Sequence, residues 1–387
     1  MKDAQTRRQI LKGGLAVAGL GMLNVPEWVL PALAQGETVV PFTDLPDNVR
    51  WDTPPDRRML DIRTIDGPFT PKDKYATTQH YGHPEVDVAS WKLKVSGLVD
   101  KPIQLTLDDL KKMGPQDLIV GFECSGNRGP VNGLCGNGKW TGVPLKKVFD
   151  AAGVKATARE FVFFGADKGE EEVEWRTQKY KIDVPFGRSL NREKATSGEP
   201  FLAWALNGEP LTKHQGAPLR LLVPGWYGVA NVKWLSQIHI QEDAYMGKYQ
   251  ARWYRTVRGE MIDGEMKYME TAVTHMNLKS FIARVTKTGN QYKVLTVVLN
   301  DGTPIKSVEV KIDDGPWQTA TADPSTKEKY GWKFYNLTWT SATPGDHTLI
   351  SRATDANGKV QPTAQENETK KSFLEENSQA PRKLKIA

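Results

Sequence analysis

The sequence predicts an α+β fold. A mixed strand-and-helix domain spans residues 35–260 and an immunoglobulin-like β-sandwich spans 261–387, with an export signal over 1–34 ahead of both. Three observations carry this. Between Trp91 and Ile240, segments of period two are interspersed irregularly with short helical ones, the pattern of an α+β domain and not of repeated βαβ units. Past about residue 260, short strand-like segments recur between turn dipeptides. Near the N-terminus, two adjacent arginines precede a short apolar run.

The N-terminal element reads Thr-Arg-Arg-Gln-Ile-Leu-Lys (6–12), then Gly-Gly-Leu-Ala-Val-Ala-Gly-Leu-Gly-Met-Leu (13–23). The apolar run is too short to span a bilayer as a helix but suits a signal peptide, and Ala32-Leu33-Ala34 offers a small-x-small cleavage site. A twin-arginine signal carries folded, often cofactor-loaded proteins across the bacterial inner membrane, so the expected location is the periplasm. No later stretch is apolar enough to insert in a membrane.

Residues 35–75, rich in proline, aspartate and threonine, read as an extended segment lying over the main domain. Trp91–Gly97 alternates as a half-buried strand. A short helix is predicted within 105–113, with Thr106 as N-cap and acidic residues in its first turn. Asp117–Cys124 is a second strand that delivers Cys124 at its end. Val143–Ala152 reads as a helix and Glu160–Phe164 as a buried strand, followed by strands at Leu219–Gly225 and Val232–Ile240. In the sandwich, strands are expected at 294–299, 305–312, 332–339 and 347–354. Asn300-Asp301-Gly302, Asp313-Asp314-Gly315, Pro344-Gly345-Asp346 and Asn357-Gly358 punctuate them. The tail after Pro362 is polar and charged and is expected to be only partly ordered.

Composition narrows the class. Hydrophobic residues make up 39% and charged residues 25%, values of a globular chain and not a disordered one. The net charge is +6, and removal of 1–34, with four Lys/Arg and two Asp/Glu, leaves about +4, a mild basicity that suits an anionic substrate or acidic partner. No Lys/Arg stripe or nucleic-acid motif is present, so nucleic acid is not an expected partner. The two cysteines, Cys124 and Cys135, leave two possibilities open. They form a disulfide in an oxidising compartment, or Cys124 holds a metal as thiolate while Cys135 is incidental.

Phe-Glu-Cys-Ser-Gly-Asn-Arg (122–128), followed by Lys-Trp-Thr-Gly-Val-Pro-Leu (139–145), resembles the molybdenum-binding segment of the sulfite oxidase family. Ala-Pro-Leu-Arg-Leu-Leu-Val-Pro-Gly-Trp-Tyr-Gly (217–228) with Val-Lys-Trp-Leu (232–235) is similar to that family's pterin-binding corner. Met-Asn-Leu-Lys-Ser-Phe-Ile (276–282) resembles the start of its C-terminal dimerisation domain. The motifs run in series from about Tyr75 to Pro362, and the twin-arginine signal points to the bacterial sulfite and sulfane dehydrogenases. The resemblance implies a molybdopterin-binding catalytic domain, a homodimer formed through the sandwich, and one molybdenum held by a pterin dithiolene. Cys124 is then the protein thiolate, and the activity is oxidation of sulfite or a related sulfur compound by oxygen-atom transfer. It implies Arg128 and Tyr180 at the substrate, with Arg188 as a further basic position. His80, Asp167, His214, Arg220 and Lys233 are implied as cofactor contacts, the last two for its phosphate.

The chain departs from the family pattern at Thr78 and Gln79, which stand where arginine and asparagine are usual. Losing that arginine removes one charge-assisted contact, worth roughly 1.5–3 kcal/mol. Either another basic residue compensates or the substrate is not free sulfite. No Cys-x-x-Cys-His haem motif is present, so electrons are expected to pass to a separate periplasmic c-type cytochrome. Two other readings are a molybdopterin sulfoxide reductase and, from a different class, a cofactor-free secreted binding module with a Cys124–Cys135 disulfide.

Overall fold

The computed structural model describes Leu33 and residues 36–53, 57–324 and 327–387. The signal segment 1–34, Leu33 aside, lies outside the described residues. Strands dominate. Among the described residues the α-helices are Leu107–Lys112, Leu145–Ala152 and Arg192–Thr196, so the expected mixture leans far towards β.

Local chemistry sets these short helices. Thr106 caps the first, accepting from the Asp109 N–H while the Asp109 carboxylate accepts from the Thr106 N–H, a reciprocal box that satisfies two otherwise orphaned donors. Leu145–Ala152 turns Leu145, Val148, Phe149 and Ala152 inward and ends at Gly153 in the left-handed region, φ 69°.

Two sheets share the core of the first domain. One runs 178–191, 160–175, 235–241, 93–97, 103–105 in spatial order; only the 235–241 to 93–97 pairing is parallel. The other orders 209–210, 201–206, 135–144 and 116–123, with 220–222 also paired to 201–206. Trp140, Leu145, Phe161, Phe163, Leu202 and Leu221 fill the space between them. The strand expected to stop at Phe164 runs on from Glu160 to Trp175 and pairs with Gln178–Asn191, forming a long arm whose outer half is exposed. The acidic run 170–174 lacks the apolar alternation of a buried strand: Glu170, Glu172 and Glu174 face solvent, while Glu171 is buried against the Tyr81 hydroxyl and the Lys248 ammonium.

The second unit is a two-sheet sandwich. Thr38–Val40, Lys279–Thr288, Gln291–Leu299, Lys333–Trp339 and Thr321–Ala322 form one sheet; Gln318–Thr319, Ile305–Ile312, Gly345–Asp355 and Pro381–Ile386 form the other. Val294, Val298, Val308, Val310, Leu349 and Leu384 close its core. Two expectations are corrected. The N-terminal segment does not simply lie over the main domain: Thr38–Val40 adds an edge strand to the sandwich and Phe42 bridges to Leu384. The tail is ordered to its end, because Leu384 and Ile386 alternate inward as the last strand of the second sheet. No helix among the described residues is long and apolar enough to cross a membrane.

A third apolar cluster joins the units. Leu60, Ile62 and Cys135 from the first pack on Phe281, Val297, Leu299 and Phe334, on the outer face of the first sandwich sheet. The strand carrying Cys135 thus lies against the sandwich.

Candidate active site

The chain leaves the Gln116–Glu123 strand at Cys124 and returns on Cys135–Pro144, with Glu123 paired opposite Cys135. The intervening loop is stapled from within. The Cys124 N–H donates to Leu134 O at 2.8 Å, and the Asn127 N–H donates to Cys124 O at 2.9 Å. The buried Asn127 amide donates to Glu123 Oε2 at 2.8 Å and its oxygen accepts from the Leu134 N–H at 2.9 Å. Both cysteines are free thiols, so the disulfide alternative is not realised. Cys135 is buried and donates to Asn132 O, and burial pushes its thiol well up. Burial also raises the Cys124 thiol, opposed by a hydrogen bond from the Gly126 backbone.

Cys124 opens into a cavity that is partly open to solvent. His80, Asp167, His214, Arg220, Lys233 and Tyr254 line it too. Arg220, from the Arg220–Leu222 strand, is buried over the faces of Trp140 and Phe122, at 5.0 and 5.4 Å. Its two terminal nitrogens donate to Gln215 O and Asn231 O at 3.0 and 3.1 Å, while burial lowers the guanidinium to about 10, still charged at neutral pH. Lys233 reaches Thr77 Oγ1 and Thr78 O at 3.0 Å and Gln79 Oε1 at 3.2 Å. Burial, and then repulsion from Arg220, bring its ammonium down to about 7. Burial lifts the Asp167 carboxyl to about 6 against the pull of Lys233.

Glycine makes two of these approaches possible. Gly216 adopts φ +98° with Lys233 Cβ 2.7 Å from where a side chain would begin. At Gly165 the equivalent point lies 2.3 Å from Asp167 Oδ1, so the carboxylate occupies the space a Cβ would take.

His80 lines the same cavity. Its Nε2 hydrogen-bonds the Tyr254 hydroxyl at 2.8 Å, and its ring packs edge-on against Tyr249 with centroids 4.3 Å apart. Burial first, then the charges of Lys233 and Lys248, bring it to about 4, so the imidazole is neutral at neutral pH. Burial drives the Tyr254 phenol well above its usual range, and it stays protonated.

The sequence-predicted residues divide. Cys124, His80, Asp167, His214, Arg220 and Lys233 converge on the cavity. Tyr180 does not: it sits on the exposed arm opposite Val173, 48% exposed, with its hydroxyl on Gln178. Arg128 is exposed beside the ring of Phe373, 5.8 Å from its centroid, and does not line the cavity. Arg188 is 1% exposed and donates to the carbonyls of Tyr249 and Val273, which ties the arm to the segment leading into Tyr254. Sequence reading missed Tyr254. Its signal was the aromatic cluster Tyr249, Trp253, Tyr254, in a stretch of the first domain for which no element or role was expected.

The donor set fits a large polar group with an acidic tail and a soft metal. Asp167 Oδ1, Arg220 Nε and the Tyr75 hydroxyl are buried polar atoms of cavity-lining residues with no hydrogen-bond partner, and such atoms are costly unless a bound group meets them. Charged Arg220 and half-titrated Lys233 suit a phosphate, and the Cys124 thiol suits a soft metal.

Residues 80–249 match the family described as the oxidoreductase molybdopterin binding domain. Rat mitochondrial sulfite oxidase is 25% identical over 325 residues, covering 76% of this chain and 57% of that one. The NADH nitrate reductase of Ulva prolifera is 29% identical over 206 residues, covering 49% of this chain and 22% of that one. The chain therefore spans little more than half, or less, of these relatives' lengths. In fold it is similar to the sulfane dehydrogenase SoxCD of Paracoccus pantotrophus, with TM-score 0.71, 22% identity, and coverage of 99% of this chain and 100% of that chain.

Proposed function

We propose that this chain, which belongs to the sulfite oxidase family of molybdopterin oxidoreductases, oxidises sulfite or a related small sulfur compound in the bacterial periplasm. It is a molybdoenzyme, and its cofactor is molybdenum–molybdopterin. The observation that carries the reading is that one cavity is lined by the Cys124 thiol and by Arg220, Lys233 and Asp167 together. Cys124 is the thiolate offered to the metal; Arg220 and Lys233 hold the cofactor's phosphate; Asp167 and His214 take polar atoms of the pterin. When bound, the group supplies oxygen-atom transfer and a two-electron store.

The chain's own residues bind, orient and hold protons. Tyr254, protonated throughout the physiological range, donates its hydroxyl hydrogen bond to an anionic oxygen. Neutral His80 fixes the phenol's direction through its Nε2 and adds no charge. Sulfite oxidation takes one oxygen from water and releases two protons and two electrons. The electrons pass singly to a separate c-type cytochrome, as no haem motif is present in the chain. The Thr-Arg-Arg-Gln-Ile-Leu-Lys segment (6–12) supports export by the twin-arginine route, and the sandwich is the surface through which two copies pair as a homodimer.

The test is sulfite-dependent reduction of cytochrome c or ferricyanide by protein purified from a molybdate-supplemented periplasm, beside thiosulfate and sulfane substrates. Turnover with at least one of these is expected. Inactivity towards all of them, with sulfoxide-dependent oxidation of a reduced dye, would make the protein a reductase.

A further inference from the structure

We propose that Arg57 is the anion-recognition residue at the Cys124 end of the cavity, binding two oxygens of a small sulfur oxyanion through its planar fork of donors. This rests on the reading above and names the residue that selects the substrate.

The cavity needs such a residue because its own cations are engaged elsewhere. Arg220 donates to Gln215 O and Asn231 O, and Lys233 to Thr77, Thr78 and Gln79 oxygens. Arg220 and Lys233 are the only Arg or Lys side chains among the described residues that line the cavity. Arg57 comes from outside that lining. The Arg57–Arg58 strand pairs antiparallel with Thr77–Thr78, and Arg57 stands directly opposite Thr78. Opposed residues of an antiparallel pair put their side chains on one face, with Cβ atoms about 4.5–5.5 Å apart. Thr78 lines the cavity with Cys124, and just beyond Arg57 the chain lies on the Cys124 loop, with the Leu60 N–H donating to Gly133 O at 2.8 Å, so Arg57 stands beside the thiol's end of the strand pair.

The side chain is also available. Arg57 is exposed, and among the described residues its hydrogen bond is Nη2 to the Met59 sulfur at 3.2 Å, a weak acceptor. The rest of the guanidinium fork matches two oxygens of one oxyanion. Thr78 is neutral and supplies no charge, whereas the residue across the strand is a permanent cation. A cation on the neighbouring strand thus does the work that the residue at 78 does not.

Sulfate binding to the holoprotein, measured by titration calorimetry at low ionic strength, tests this. Arg57→Ala is expected to weaken binding about tenfold or more, the loss of a charge-assisted bidentate contact. Arg57→Lys should keep part of the affinity, and Arg176→Ala, on the distant arm, all of it. The KM for sulfite should rise in parallel with the sulfate dissociation constant. Equal sulfate affinity in Arg57→Ala and the unsubstituted protein, or no sulfate binding by either, would overturn the proposal. If sulfate binding depends on Arg57 while no sulfur compound is oxidised, the anion site stands and the proposed reaction falls.

Discussion

Lys279, the first residue of the sandwich strand Lys279–Thr288, donates its ammonium to the carboxylate of Glu123, the residue before Cys124, at 2.9 Å. It donates as well to Asn127 O at 2.9 Å, three residues beyond the thiol. The pair is 4% and 1% exposed, so the sandwich reaches into the first domain and clamps both shoulders of the Cys124 loop.

That clamp makes a stability prediction. Lys279→Met leaves the Glu123 carboxylate buried without its cation and should cost about 3–5 kcal/mol, whereas Glu123→Gln combined with Lys279→Met should cost less. Urea unfolding midpoints for the two variants check this. Equal losses in single and double variants would mean that the ion pair is not what joins the units.

The tyrosines separate by position. Tyr254→Phe removes the hydroxyl held 2.8 Å from His80 and should lower kcat about tenfold or more, the worth of a hydrogen bond to a charged group. Tyr180→Phe, on the exposed arm, should leave kcat and KM unchanged. Steady-state kinetics with sulfite and ferricyanide distinguish them, and the reverse pattern would return the role to the arm.

The basic end of the cavity should bind anions in a pH-dependent way. In cofactor-free protein the Lys233 ammonium titrates at about 7 and the Asp167 carboxyl at about 6, beside Arg220, which stays charged, and His80, which is neutral above about 4. Raising the pH from 6 to 9 removes the positive charge at Lys233 and completes the negative charge at Asp167. Both changes weaken anion binding, so phosphate affinity should fall across this window and binding near pH 7 should take up protons. The stability sign is separate. Between about 7 and the ordinary lysine range near 10.5, the unfolded chain holds a proton that folded Lys233 does not, so this group makes stability rise with pH. Calorimetric titration of phosphate in buffers of different ionisation enthalpy reads the proton uptake, and Lys233→Met should reduce both uptake and pH dependence.

Much of the fold was legible because alternation and turn chemistry are local. The strand Ile305–Ile312 and the Thr106 cap follow from neighbouring residues alone. What escaped depends on distant partners. The edge strand Thr38–Val40 is stabilised by residues 285–287, with Thr38 and its partner Lys287 249 residues apart in sequence. The last strand is held by the inward faces of Leu384 and Ile386, which the charged neighbours Lys383 and Lys385 disguise. In the site, Arg220 and Lys233 sit within a glycine-rich corner whose tight packing leaves a signature. Tyr180 and Tyr254 carry the same side chain, and only the length of the arm and the fold of 248–254 decide which one meets His80. Arg57 was invisible for the same reason: its role comes from cross-strand register and not from a motif.

The most direct test of the central claim, that the Cys124 sulfur is the protein ligand of a molybdenum held in this cavity, is X-ray absorption at the molybdenum edge of native protein beside Cys124→Ser. The native metal should have one sulfur neighbour more than the variant, with molybdenum retained in both because Arg220, Lys233 and Asp167 still hold the pterin. An identical sulfur shell in the two proteins, or native protein without molybdenum, would contradict the account.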